Sequence, residues 1–214
     1  MTATEIITSF ELQVSDITEL SDFEELSILN RVYQKVCSDR LWIFLRTPAT
    51  GTVLSDATGS YITMPADFAF FAENAQYTNN AISYEGNADA KVIFIVANNS
   101  YNPYQIVNYA DRRQYFNKGG YAYLDYVNSI IRFTKPPISG TYEFDYIKVP
   151  ATLTVGSSPV IPDRFQDVLV YGMATQNDIL QLSPKATSYF AENQSLYNQY
   201  ITDMAYWNAN MLLN

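Results

Sequence analysis

Residues 130–149 read IIRFTKPPISGTYEFDYIKV, and this stretch sets the character of the middle of the chain. Residues 129–134 form a short run of strand type. Pro136-Pro137-Ile138-Ser139-Gly140 carries turn chemistry, and residues 141–149 form a second run. In that second run Tyr142, Phe144 and Tyr146 alternate with Glu143, Asp145 and Ile147. Period two places the three aromatics on one face of a strand. Proline and glycine punctuate the connection, and Pro150 ends the strand. Working upstream, residues 91–97 (KVIFIVA) are the strongest strand pattern in the chain. Residues 52–54 and 61–64 flank Asp56-Ala57-Thr58-Gly59-Ser60 as a hairpin, and Pro65 breaks its second strand. Phe68, Phe70 and Phe71 form a dense aromatic patch of core type. Residues 105–117 predict a short helix whose adjacent Arg112 and Arg113 occupy a solvated face.

On both sides of this Tyr-rich middle the period changes to that of a helix. Thr2-Ala3-Thr4-Glu5 opens a short helix with Ile6, Ile7, Phe10 and Val14 on one side. Ser21-Asp22-Phe23-Glu24 predicts a capping box, followed by Leu26, Leu29, Tyr33 and Val36, with Ile28 and Val32 widening the stripe. Trp42, Phe44 and Leu45 close this pattern before Thr47-Pro48 stops it. Downstream, Pro162 and Asp163 suit a helix start. Phe165, Val168, Leu169, Met173, Ile179 and Leu180 make its stripe. Ser183-Pro184 starts another helix carrying Ala186, Phe190, Tyr197, Ile201 and Met204, so the two should pair as an antiparallel hairpin. The expected fold is therefore α+β. A helical-bundle frame, built from N-terminal helices in residues 1–49 and a C-terminal hairpin and tail in 151–214, carries an inserted β-rich subdomain in 50–150.

Composition narrows the function. Hydrophobic residues make up 48% of the chain and charged residues only 16%, which allows a real core and argues against disorder. Eighteen tyrosines supply much of the remaining polar surface. Tyrosine joins an apolar ring to a hydrogen-bonding tip, a combination suited to cross-strand pairs and to interfaces. The net charge of −9 disfavours tight nucleic-acid binding. A single cysteine, Cys37, excludes an intrachain disulfide and falls within an apolar helical pattern. The opening residues lack a basic and apolar leader pattern, which predicts synthesis in a cytoplasm.

Catalytic signatures are scarce. The chain has no histidine, which removes the common serine and cysteine triads and His-based zinc sites. There is no phosphate-binding glycine loop and no EF-hand spacing, so no cofactor or metal is expected. One carboxylate pair merits attention. Glu143 and Asp145 share a strand face with carboxylates about 6–7 Å apart, a separation compatible with glycoside hydrolysis. In that alternative Glu143 is the acid and Asp145 the base. The competing interpretation is a polar strand face opposite the aromatic one. Asp163 and Asp167 stand four residues apart at the start of the C-terminal helices, where they suit either a channel lining or an ordinary wet face.

Four stretches, in order, resemble the head–tail connector, or adaptor, proteins of tailed bacteriophages. Residues 25–33 (ELSILNRVY), closing on Leu41-Trp42-Ile43-Phe44-Leu45, are similar to that family's "LLN-x-x-Y" helix ending at a Trp. Met64-Pro65-Ala66-Asp67-Phe68 is close to its "LPADF". Residues 130–149 match its strand, proline turn and Tyr-rich strand. Ile161-Pro162 with residues 165–173, followed by Leu182-Ser183-Pro184-Lys185-Ala186 and a long last helix, is the fourth likeness. The resemblance implies a structural, non-enzymatic virion protein of the phage neck. It implies a ring of about twelve copies beneath the portal, a lumen through which genome DNA passes, and a tail or nozzle protein on the distal side. By position it puts Trp207, Met211, Leu212 and Leu213 at the portal contact, whereas Asp163 and Asp167 are candidate channel-lining acids by their spacing alone. The alternatives are another tail component, such as a tail-completion or tube protein, a Tyr-lined carbohydrate-binding module, and the Glu143/Asp145 glycosidase.

Overall fold

The computed structural model describes residues 1–14, 20–72, 92–97, 100–135 and 139–212, with Leu212 described by its backbone only. The chain divides into two compact units. One combines Met1–Leu45 with Pro150–Asn214, and the other is Arg46–Val149.

The first unit is helical. Helix α1 (Ala3–Val14) buries Ala3, Ile6, Phe10 and Val14 along one stripe. Its start is capped reciprocally: Glu5 N donates to Thr2 Oγ1 at 3.3 Å, and Thr2 N donates to Glu5 Oε2 at 2.7 Å. Helix α2 (Asp22–Ser38) has the expected Ser21/Glu24 capping box and buries Ile28, Leu29, Val32, Tyr33, Val36 and Cys37. It ends at Ser38, short of the apolar pattern that continues to residue 46. The cause is Trp42, whose fully buried indole turns back and donates Nε1–H to the Val36 carbonyl at 2.7 Å. That bond satisfies one of the carbonyls a helix end leaves open.

After Pro150 come α3 (Asp167–Ala174), α4 (Asn177–Leu182), α5 (Pro184–Ser188) and α6 (Phe190–Leu212). Helix α3 buries Val168, Leu169, Val170, Gly172, Met173 and Ala174, and packs against α1, α2 and α6. A helix apolar on so much of its circumference belongs in a core. The helix predicted from Pro162 onward is broken at Thr175 and Gln176. Gln176 adopts ψ 140° and caps α4 in an extended conformation. Ser183 Oγ accepts from Ala186 N at 3.0 Å and donates to the Val14 carbonyl at 3.0 Å, so one hydroxyl both starts α5 and closes the end of α1.

The second unit is a single large curled sheet of nine strands among the described residues. They are β1 (Arg46–Thr52), β2 (Leu54–Asp56), β3 (Gly59–Thr63), β4 (Phe68–Phe71), β5 (Val92–Ala97), β6 (Ser100–Val107), β7 (Tyr121–Asp125), β8 (Ile130–Phe133) and β9 (Thr141–Lys148). The order is β1-β9-β5-β6-β7-β8-β3-β2, and β4 also pairs with β9. Strands β6 and β7 pair in parallel, whereas the other pairs are antiparallel. A parallel pair needs a crossover, supplied here by residues 108–120 with the 3-10 helix Tyr109–Tyr115. Ala49, Ile62, Phe71, Ile93, Ile95, Ala122, Ile131, Phe133, Phe144 and Tyr146 form the sheet's own core.

This architecture corrects the expected helical-bundle frame with an inserted β-rich subdomain. The protein is α+β but β-rich, because the sheet has a complete core of its own and is not an appendage to a bundle. Several strands escaped detection because they do not alternate. The edge strand β1 buries only Ala49 and carries Pro48, which an edge tolerates. Strand β6 has no fully buried side chain. The helix predicted over residues 105–117 is the end of β6 followed by the 3-10 helix. The Asn-rich segment 77–91 and the prolines of the 136–140 turn lie outside the described residues.

Candidate functional site

The Trp207–Leu212 stretch is helical and continues α6. Its members differ in availability. The Trp207 ring lies 5.8 Å from the Phe165 ring, and the Arg164 guanidinium sits 5.1 Å from the Trp207 centroid, so this indole is already packed. Met211 is exposed, as is Tyr206. The Leu212 side chain and Leu213 lie outside the described residues. Between these positions Asn208 is buried and makes two bonds to an irregular segment. Its Oδ1 accepts from Ile43 N at 2.6 Å, and its Nδ2 donates to the Leu41 carbonyl at 3.0 Å. The C-terminal helix is therefore a brace for residues 41–43.

Asp163 and Asp167 are both exposed, but they do not share one regular helix face. Asp163 opens a 3-10 turn and accepts from Gln166 Nε2 at 2.9 Å. Asp167 begins α3 and accepts from Tyr200 Oη at 3.1 Å. Burial first, then the Asp167 charge, raises the Tyr200 phenol above its ordinary value and keeps it a donor.

Glu143 and Asp145 project from β9, which is paired on both sides. Arg46 on β1 donates both Nε, at 2.8 Å, and Nη2, at 2.5 Å, to Asp145 Oδ2. Asp145 Oδ2 is thereby committed to a cross-strand ion pair. Among the described residues there is no group of three or more His, Cys, Asp or Glu placed to hold a metal ion.

The residues of the MPADF stretch serve the fold. Asp67 Oδ1 accepts from Tyr146 Oη at 2.7 Å, and the Asp67 carbonyl accepts from Val149 N at 2.7 Å. The Phe68 ring packs at 5.1 Å from Phe71 and 5.8 Å from Tyr146. This motif fastens the turn before β4 to the end of β9.

One site was not anticipated as a unit. The β6–β7 crossover brings Arg112, Arg113 and Phe116 beside Arg132 of β8 and the β2–β3 turn, forming a cleft of 630 Å³. Tyr123, Asn117, Phe133 and Thr134 also line it. Arg132 pairs with Asp56 through both carboxylate oxygens, at 3.1 and 2.9 Å. That pairing pushes Asp56 well below the usual carboxylate range. Arg112 lies 3.6 Å over the Tyr109 ring and donates to the Tyr109 carbonyl at 2.5 Å. The sequence offered one signal, the adjacent Arg112-Arg113 pair. Nothing local linked it to Arg132, almost twenty positions away.

No helix among the described residues is long and apolar enough to cross a membrane. A family model described as SU10 adaptor protein matches residues 1–211 of this chain. No curated protein matches it.

Proposed function

Because the chain belongs to the SU10 adaptor protein family, a phage head–tail adaptor family, we propose that it is a structural subunit of the phage neck, joining the portal to the tail. The observation that carries this reading is the match itself, which spans both the helical and the sheet unit. In the proposed assembly about twelve copies form a closed ring beneath the portal. The ring extends the DNA channel and presents its distal side to a tail or nozzle protein. The subunit is made in the host cytoplasm and acts by binding, without turnover.

The C-terminal end of α6 is the proposed portal contact. Met211, Leu212 and Leu213 are its apolar anchors, with Trp207 contributing whatever edge its packing on Phe165 leaves open. Exposed Tyr206 and Met211 support this placement. Asp163 and Asp167 are the proposed lumen acids, where negative charge would keep DNA from adhering. Their exposure supports the assignment.

The test is electron microscopy of the purified chain mixed with the cognate portal. An annulus on the portal is expected. Deleting residues 211–214 should abolish docking while leaving the fold intact, because the cut spares Trp207 and Asn208. Docking by that truncation, or no annulus with the full chain, would sink the proposal.

A further inference from the structure

The arginine cleft is unusual for this chain. A molecule with net charge −9 places three guanidinium groups around one depression, and no carboxylate is among its described lining residues. Asp56, from the adjoining turn, offsets Arg132. Asp125 on β7 also acts on Arg132, with its carboxylate engaged by Asn128 Nδ2 at 2.8 Å. Neither Arg112 nor Arg113 has an ion-pair partner among the described residues, and Arg113 is exposed. Beside them Phe116 is 72% exposed. A ligand for this cleft must supply negative charge together with an apolar or aromatic surface.

The chain carries such a group on its other unit. Phe23, at the first turn of α2, is 80% exposed, and its immediate neighbours are the exposed acids Asp22 and Glu24. Nothing in the helix requires an aromatic side chain there, since the capping box is complete through Ser21 and Glu24. Building on the ring reading above, we propose that Phe23 of one copy seats beside Phe116 and Tyr123 of a second copy, with Asp22 facing Arg112 and Arg113. Knob and cleft are different surfaces, so the contact is head-to-tail and repeats from copy to copy. The acidity of the chain favours a protein carboxylate over a nucleic-acid phosphate as the occupant.

The test uses full-length chain with Phe23 replaced by photoreactive p-benzoylphenylalanine, mixed with isotopically heavy wild-type chain and assembled on portal. Cross-links are expected from residue 23 of the light copy to residues 109–123 of the heavy copy. Arg113→Glu in the heavy copy should lower their yield about tenfold, and Asp22→Arg in the light copy should restore it. Both positions are exposed, so circular dichroism should stay unchanged. A ring in micrographs with cross-links elsewhere overturns the cleft assignment and leaves the neck reading standing. Absence of both ring and intercopy cross-links removes both. A short DNA duplex that binds through Arg113 and suppresses the cross-link also overturns the proposal, and gives the cleft to a phosphate backbone.

Discussion

Tyr146 Oη donates to Asp67 Oδ1 at 2.7 Å, tying the last part of β9 to the turn that precedes β4. Tyr146 is buried, and its ring stacks on Phe68. Burial first, then the Asp67 carboxylate, pushes the phenol up to about 12.

Tyr146→Phe should cost about 1 kcal/mol, because the ring packing stays while the Asp67 acceptor loses its donor. The pH dependence has a definite sign. The folded phenol holds its proton more tightly than the unfolded one, so its contribution is complete below about pH 10. It is then lost as the pH rises toward 12. Urea midpoints measured across that window should fall less steeply in Tyr146→Phe than in the wild type. Parallel curves would refute the assignment.

Gly172→Ala should destabilise the helical unit. A Cβ there would lie 2.5 Å from Val32 Cγ1 and 3.1 Å from the Tyr197 ring. Val32 is itself buried, so its methyl has little room to move. Overpacking of this kind costs about 1–3 kcal/mol and opposes a helix-propensity gain of about 1 kcal/mol. A lowered Tm is the expected result, and a raised one would show that α2 and α3 separate freely.

Asn208→Ala should cost about 1–3 kcal/mol, because Ile43 N and the Leu41 carbonyl lose their partners together. Asn208→Asp keeps the acceptor for Ile43 N but sets an oxygen against the Leu41 carbonyl, so it should not rescue. Denaturant unfolding of both variants checks the order. A neutral Asn208→Ala would mean that water replaces both bonds.

Cys37 should resist thiol reagents in the native state. It is buried beside the Tyr33 side chain, and burial pushes its thiol up to about 12. Only thiolate attacks such reagents. At pH 8 the labelling rate should therefore follow unfolding and rise sharply in denaturant. Rapid labelling of folded protein would contradict the packing of α2.

Much of the local structure is legible in short stretches of the chain. Ser21 and Glu24 sit three residues apart, so their capping box depends on nothing distant. The burial of Phe144 and Tyr146 follows from period-two alternation on a single strand. The N-terminal stripe of Ile6, Phe10 and Val14 is equally local. The candidate sites were less legible. Trp207 is written as an apolar tail residue, yet it packs on Phe165, forty-two positions earlier in the chain. Asp145 alternates as a wet-face acid, yet Arg46 claims it across a strand pair.

By itself, then, the sequence determined the caps, the helical stripes and the aromatic face of β9, because each depends on residues within a turn or two of one another. Only the tertiary structure decided the extent of the sheet and the meeting of Arg112, Arg113 and Arg132. Strand order joins β1 to β9 and runs β6 parallel to β7. Such pairings are set by burial summed over the whole unit, and the edge and polar strands that complete them carry little hydrophobic period of their own.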